Sequence, residues 1–442
     1  MSETSAITPD RLDRPFSDPL VERLFPPLAS GVHWGLDRTH RALEALGDPH
    51  LTYPTVHIGG TNGKGSVTST VGSILTSSGR RTGCYTSPHL CSFRERMLVD
   101  GAPLSEEAIL AYAADVLEPV QRYGLTFFEA ITVLAMHAFA REGVDFAVME
   151  VGLGGRLDAT NVVRPEVSAV TNVAMDHADY LGDTIPAIAR EKAGIMKPGI
   201  PFVTAERKPE ILELFRGLAS DVGCPYHVVR EDSIRDIGVS SDETRLTVQT
   251  DRWGEVALRT PLVGLHQAAN AALAVHVVAQ LGDEHRPDLE HVANGVATVA
   301  YHGRDEIQRV AGTTFLFDVA HNTAGIRSLV DTIDRLELPR PLVALVGVQG
   351  DKDWQTMLPA LLSRVDGAIL TQPPSVPEER RWDPVAAADV VEGLTVIRVV
   401  DDFVAALDRA RSKVGRGTVV VTGSVHTVGS TMSLLGLDPL GR

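Results

Sequence analysis

Residues 55–66 read Thr55-Val56-His57-Ile58-Gly59-Gly60-Thr61-Asn62-Gly63-Lys64-Gly65-Ser66. A short β-branched run feeds a glycine-rich turn, and residues 66–78 beyond it carry a helical pattern. Strand, glycine loop and helix in that order let successive backbone N–H groups surround a phosphate, with the positive end of the helix dipole added. Lys64 supplies a point charge for the outer phosphates. The string departs from the commonest phosphate-loop pattern twice: Ile58 stands where the first glycine is usual, and Gly65 separates Lys64 from Ser66. A glycine turn with a chance lysine is the competing reading. The strand-loop-helix context favours a nucleoside triphosphate site built from Gly60, Thr61, Asn62, Gly63, Lys64, Gly65 and Ser66.

Outward from this stretch, short apolar runs alternate with helical patterns, the mark of parallel sheet built from strand-helix-strand units. Strands are expected at 55–60, 81–87, 145–152, 167–173 and 201–205, mostly as unbroken apolar runs. Strands covered on both faces have that character. Residues 66–78 and 126–142 read as helices. The second opens with Thr126-Phe127-Phe128-Glu129, a capping-box spacing that gives Glu129 a structural role. Between 225 and 262 the text turns to polar-apolar alternation, a short antiparallel appendage, before a long apolar helix at about 265–281. After Tyr301-His302-Gly303-Arg304 the alternation restarts, with strands expected at 313–320, 341–348, 367–372, 394–400 and 417–423. A boundary near residue 298 divides the chain into 1–297 and 298–442; the Pro-rich stretch 371–384 reads as a surface loop. The expected class is α/β: a mostly parallel P-loop-like domain followed by a Rossmann-like α/β domain.

The 442 residues suit two or three domains, and 44% hydrophobic with 22% charged residues is ordinary globular composition. A formal net charge of −16 repels phosphate backbones and anionic lipid, which argues against nucleic acid or a membrane as partner. Cys84, Cys91 and Cys224 form neither a disulfide framework nor a zinc pattern and read as buried, inert thiols. The polar N-terminus lacks a signal-peptide core, and no stretch reaches the ~20 apolar residues that span a bilayer. The expectation is a cytoplasmic protein.

Other residues with chemical potential fall at expected strand ends, where open α/β sheets bind ligands. Ser87 follows the second strand. Glu150 ends a buried apolar strand, a costly place for a carboxylate unless Mg²⁺ on nucleotide phosphates, or Arg156 in the same loop, offsets its charge. Asp176 and His177 follow the next strand, and Asp318, His321 and Asn322 follow a strand in the second half, where helix capping is the plainer account. His266, Gln267 and Asn270 fall on or near one helical face, where a polar group needs a partner such as a nucleotide base. Lys192 sits beside Glu191 in a helix and by itself reads as a solvated surface charge.

In order, the glycine loop, Thr86-Ser87-Pro88-His89-Leu90 with Glu95-Arg96, the run from Glu150 to Asn161, Glu191-Lys192-Ala193-Gly194-Ile195 and His266-Gln267-Ala268-Ala269-Asn270 resemble the folylpolyglutamate synthase and dihydrofolate synthase family, relatives of the Mur ligases. The resemblance runs from about Gly35 to Ser424. It implies that Lys64 and Ser66 belong to the nucleotide phosphate site and that Ser87, Glu150 and His177 hold two Mg²⁺ ions. It also matches Lys192 to a carbamylated lysine, and Asn270, Arg304, Asp318 and His321 to positions completing the nucleotide site. Arg96 and the segment around Phe128 match the folate and acyl-phosphate region, with Lys64, Lys192, His177 and Arg96 as the catalytic set. Three stretches depart from the family: His302-Gly303-Arg304 where Pro-Gly-Arg is usual, Val319 and Thr323 around the Asp-His-Asn strand end, and Gly423-Ser424-Val425-His426-Thr427-Val428-Gly429 in place of Gly-Ser-Leu-Tyr-Leu-Val-Gly.

The implied reaction is ATP-dependent: an acyl phosphate forms on a folate-type carboxylate, dihydropteroate or a reduced folate, and L-glutamate displaces phosphate to give an amide, with ADP released. The chain is expected to act as a monomer. Two alternatives stand beside this: a Mur-type ligase working on another carboxylate, and a regulatory ATPase using hydrolysis as a timer. A second α/β domain with its own Asp-His-Asn strand end speaks against the timer.

Overall fold

The computed structural model describes residues 18–26, 28 and 33–441. The polar N-terminal stretch 1–17 lies outside the described residues. The first sheet contains β1 (Thr55–Gly59), β2 (Thr82–Tyr85), β3 (Met97–Val99), β4 (Ala102–Pro103), β5 (Phe146–Glu150), β6 (Val167–Val170), β7 (Phe202–Thr204) and β8 (Tyr226–Val228), in the order β4-β3-β2-β5-β1-β6-β7-β8. From β2 through β8 the neighbours are parallel; only β3 and β4 run antiparallel at the edge. β1, β5 and β6 are buried along their whole length, as the unbroken apolar runs require.

Register places the chemistry. Ile58 pairs with Glu150, and Gly59 with Val170, so the loops after β1, β5 and β6 leave the sheet side by side at its carboxyl edge. The chain leaving β1 turns to β2 on one side of β5, while β6 lies on the other flank of β1, which opens a crevice above β1. The helix Lys64–Ser77 starts directly from the glycine loop and is buried almost all round. On its far side it meets the helix Leu289–Thr298 so closely that a Cβ on Gly295 would stand 2.3 Å from Ile74 Cα. The apolar helix Leu265–Ala279 packs in the same core.

The appendage is a three-stranded antiparallel sheet of β9 (Ile234–Val239), β10 (Thr244–Thr250) and β11 (Gly254–Thr260), ordered β11-β10-β9. It is shorter than the expected 225–262, because Tyr226–Val228 joins β7 in parallel and completes the first sheet instead. Burial along β10 and β11 alternates, the outcome of the polar-apolar pattern.

The second large sheet contains β12 (Glu306–Val310), β13 (Thr313–Phe317), β14 (Leu342–Val346), β15 (Gly367–Leu370), β16 (Val396–Val399) and β17 (Thr418–Thr422), ordered β12-β13-β17-β14-β15-β16. All are parallel except β12, which pairs antiparallel with β13. Helices cover both faces, giving two separate apolar clusters. The Pro-rich stretch is less superficial than expected: Val376 and Trp382 are buried, and Trp382 Nε1 donates to the Thr371 carbonyl at 3.0 Å. No helix among the described residues is long and apolar enough to cross a membrane.

The two halves interlock. Leu90, from the loop after β2, is buried in the second sheet's cluster with Phe315, Phe317, Val319 and Val428. Cys91 follows it, half-buried and donating its thiol to the Gly429 carbonyl at 3.5 Å, whereas Cys84 and Cys224 are buried as expected.

Candidate active site

A cleft lies between the carboxyl edges of the two sheets. Gly60 to Ser66, Ser87, Glu150, His177, Lys192, Asn270, Arg304, Asp318 and His321 all line it. Arg96 does not; it is buried beside it, and its Nε donates to His89 Nδ1 at 2.8 Å. His266 and Gln267 join the lining with Asn270.

The glycine loop is held from below by the loop after β6. Thr61 N–H donates to the Asn172 carbonyl (2.9 Å), Asn62 N–H to Asn172 Oδ1 (3.2 Å), and Thr171 Oγ1 to the Asn62 carbonyl (2.7 Å). Gly60 has φ +140°, and a Cβ there would stand 1.8 Å from Thr171 Oγ1, so only glycine fits. Lys64 Nζ turns back to the Thr61 carbonyl at 3.1 Å. Ser66 Oγ is buried with no hydrogen-bond partner. A buried hydroxyl without a partner is costly in a folded protein, and a cation or phosphate oxygen supplied by a ligand would satisfy it.

Glu150 does not pair with Arg156, which reaches Glu191 instead (2.9 Å). Its carboxylate accepts the Ser87 N–H at 3.0 Å and is 2% exposed. Burial pushes its pKa up to about 7, against the opposing pull of Lys64, the Ser87 N–H, Arg304 and Arg96. His177 caps a short helix with a left-handed φ of 52°, and burial lowers its pKa to about 4, leaving a neutral imidazole available as a ligand. Among the described residues there is no cluster of three or more His, Cys, Asp or Glu side chains built to hold a metal alone. Mg²⁺ binds through one or two protein ligands plus phosphates and water, so Ser66, Ser87, Glu150 and His177 around the phosphate loop fit a metal brought in with a nucleotide.

Lys192 overturns its reading as a surface charge. It is 4% exposed, and its Nζ donates to the Gly60 carbonyl at 2.9 Å. The helix Ile185–Ala193 points its last turn into the glycine loop, and Lys192 lies on the same face as the buried Ile188 and Ala189. Burial, with Lys64 nearby, lowers the amine to about 7.

Asp176, expected as a strand-end acid, takes most of its partners from the second half of the chain. Lys352 Nζ lies 2.8 Å from Oδ1 and His321 Nε2 3.4 Å from Oδ2, while Asn322 Nδ2 donates to Oδ2 at 3.2 Å. Burial alone would raise this carboxyl; His321 and Lys352 override it and hold the group well below the usual carboxylate range. Asn322 also exchanges amide hydrogen bonds with Asn62 of the phosphate loop (2.9 and 3.3 Å), besides capping the helix Thr323–Arg335. Lys352 escaped the sequence reading, although it follows a buried strand by the same logic that singled out Glu150 and Asp176. The Tyr301 ring carries the Arg304 guanidinium at 4.8 Å, a contact that the sequence does not signal. Asp318 accepts the N–H groups of Asp305 and Ala320 (3.0 and 2.9 Å), and burial raises its pKa.

The arrangement is that of a site for group transfer: a phosphate cradle, a carboxylate and neutral imidazole for a cation, and cationic side chains from both halves facing one cleft. Comparison with known proteins gives the same direction. Residues 58–278 match the family model of the Mur ligase middle domain, and 303–425 that of the Mur ligase glutamate ligase domain. A dihydrofolate synthase/folylpolyglutamate synthase of Mycobacterium tuberculosis is 36% identical over 91% of this chain and 90% of its own. A Lacticaseibacillus casei folylpolyglutamate synthase is 33% identical over 93% and 96%. Among solved structures, the M. tuberculosis folylpolyglutamate synthase complexed with ADP superposes with a TM-score of 0.86 at 33% identity, covering 95% of this chain and 98% of that one. E. coli FolC in complex with DHPP and ADP gives 0.83 at 31% identity, covering 96% and 98%. Sequence motifs, fold and relatives agree, and the chain belongs to the folylpolyglutamate synthase/dihydrofolate synthase family of Mur ligases.

Proposed function

We propose that this protein is an ATP-dependent ligase that joins the amino group of L-glutamate to a folate-type carboxylate. The observation that carries the reading is the convergence, in one cleft, of the phosphate loop with Glu150 and Lys192 from the first half and Arg304, Asp318 and His321 from the second. Both sides of the cleft come from one chain, and we take the protein to act as a monomer with 1–297 and 298–442 as its two working domains.

Carboxylate is a poor electrophile, so activation precedes amide formation. An oxygen of the acceptor carboxylate attacks the γ-phosphorus of ATP, the bond to ADP breaks, and an acyl phosphate forms. The neutral glutamate amine then attacks the acyl carbon, the C–O bond breaks with its electron pair going to phosphate, and the nitrogen's proton passes to the departing phosphate. In this reading the loop N–H groups and Lys64 bind the phosphates, and Lys64 stabilises charge on the transferred group. Arg304, Asp318, His321 and Asn270 hold the nucleotide from the other wall. Ser87, Glu150 and His177, with Ser66, would hold up to two Mg²⁺ ions, which neutralise phosphate charge when bound. Lys192, its amine brought to about 7 by burial, is suited to react as the neutral base with carbon dioxide and become a carbamate. Arg96, outside the cleft lining, holds the loop that follows Ser87 through its hydrogen bond to His89. Closure of the two halves keeps water from the acyl phosphate.

The test is a product assay with purified protein. ADP and phosphate are expected only when acceptor and L-glutamate are both present; AMP with pyrophosphate refutes the mechanism, and equal ATP turnover without acceptor points to a regulatory ATPase. Supplying dihydropteroate and a reduced folate separately decides which acceptor is used.

A further inference from the structure

Gly65 is an anomaly in its own helix. It lies in the first turn of Lys64–Ser77 and its backbone is not left-handed, so alanine would suit the helix better. Space forbids it: a Cβ on Gly65 would stand 1.9 Å from Tyr301 Oη and 2.3 Å from Tyr301 Cζ. Tyr301 belongs to the connection between the helix Leu289–Thr298 and β12, the strand that opens the second sheet. Its ring carries the Arg304 guanidinium at 4.8 Å, and Arg304 donates from Nη2 to Tyr301 Oη at 3.3 Å and from Nη1 to the Gly303 carbonyl at 3.0 Å. Arg304 lines the nucleotide cleft, and with Tyr301 it also lines a second cavity beside it. Tyr301 lines only this second cavity, so Arg304 stands between its ring and the cleft.

We infer that Tyr301 is a positioning residue for ATP: its hydroxyl rests on the phosphate loop at Gly65 and its ring presents Arg304 to the nucleotide, joining the interdomain connection to the loop that binds the phosphates. The glycine between Lys64 and Ser66 is the space this contact requires. A stacked guanidinium held by a hydrogen bond has fewer rotamers to lose when the nucleotide arrives, so ATP binding gains from the preorganisation. The inference rests on the nucleotide-binding role of the cleft but not on the identity of the acceptor.

The experiment is calorimetric titration of full-length protein with a non-hydrolysable ATP analogue and magnesium, for wild type, Tyr301→Phe, Tyr301→Ala, Gly65→Ala and the Gly65→Ala/Tyr301→Ala double variant, with KM for ATP and for L-glutamate measured in parallel. Tyr301→Ala is expected to weaken the nucleotide about tenfold, the equivalent of about 1.4 kcal/mol for the lost stack and hydrogen bond, while KM for L-glutamate stays within about twofold. Tyr301→Phe, which keeps the stack, retains most of the affinity. Gly65→Ala alone weakens binding, and removing the ring restores the double variant to the level of Tyr301→Ala. If instead the two single losses multiply, Gly65 is needed for approach of the phosphates themselves and the inference falls; it falls also if Tyr301→Ala binds like wild type. Should Tyr301→Ala fail to fold, Tyr301→Leu takes its place in the cycle. Absence of binding by the wild type would overturn the nucleotide reading instead, so the two failures are distinct.

Discussion

Replacing Lys352 by methionine removes one half of a buried ion pair that spans the cleft. Asp176 and Lys352 side chains are 8% and 6% exposed, with Nζ 2.8 Å from the carboxylate, so solvent screens little of the interaction. Taking away one member of such a pair costs about 3–5 kcal/mol, because the remaining charge stays buried. Asp176 keeps His321 Nε2 at 3.4 Å, the Asn322 amide at 3.2 Å and the His177 N–H at 3.0 Å, which places Lys352→Met at the low end, about 3 kcal/mol. Neutralising the survivor as well, in Asp176→Asn/Lys352→Met, removes the stranded charge and should return about half of the loss. Urea unfolding followed by circular dichroism and tryptophan fluorescence together would give the cycle and show whether the two halves unfold as one unit. The pH dependence has a fixed sign. Asp176 is depressed in the folded state, so its contribution is present above the ordinary aspartate pKa near 3.9 and drains away as pH falls below it. The gap between wild type and Lys352→Met should therefore narrow in acid. A loss below about 0.5 kcal/mol at neutral pH, or strict additivity in the cycle, would refute the reasoning from burial.

Three further outcomes follow from the site. Lys192→Ala should lose most of its turnover and Lys192→Arg should do no better, since a guanidinium forms no carbamate; ¹³C-labelled bicarbonate should give a carbamate signal in wild type that grows as pH rises through about 7, and near-normal activity in Lys192→Ala would exclude the role. Gly60→Ala should abolish nucleotide binding measurable by calorimetry, because its Cβ meets Thr171 Oγ1 at 1.8 Å in a backbone of φ +140°; unchanged affinity would contradict the loop geometry. Glu150→Gln should cost at least about a hundredfold in turnover yet leave the ligand-free protein no less stable. The pKa of Glu150 is raised to about 7 by burial, so the wild type alone should lose stability as pH climbs from the ordinary glutamate value near 4.3 to 7; melting curves of both proteins across that range check it.

Both large sheets could be read in the sequence because their central strands are buried on two faces and so appear as unbroken apolar runs. The strands that escaped notice lack that signal. β3 and β4 have three and two residues at an edge, and β12 is only half-buried. Tyr226–Val228, placed with the appendage, gave no sign that its hydrogen bonds go to β7 instead, since register across a chain reversal is a tertiary choice. Glu150, His177 and Asp318 could be found as polar residues at the ends of apolar runs, where their cost demands a reason. Lys192 carried a signal that its charge outweighed: it stands seven residues after Ile185, four after Ile188 and three after Ala189, on the apolar stripe of its helix. Lys352, in Gly350-Asp351-Lys352-Asp353, looks like an ordinary polar turn until Asp176 arrives from 176 residues away in sequence.

Leu90 has a consequence for how the molecule can be taken apart. It is borrowed: encoded among the first half's loops, yet seated with Phe315 and Phe317 in the other half's interior. Severing the polypeptide between the two sheets would leave one fragment with a greasy plug in water and the other with an empty socket, each inviting aggregation. Any swing that parts the lobes must either drag the Ser87–Leu90 segment along or pull the plug, so the peptide that carries the Ser87 amide to Glu150 feels every change in the angle between them.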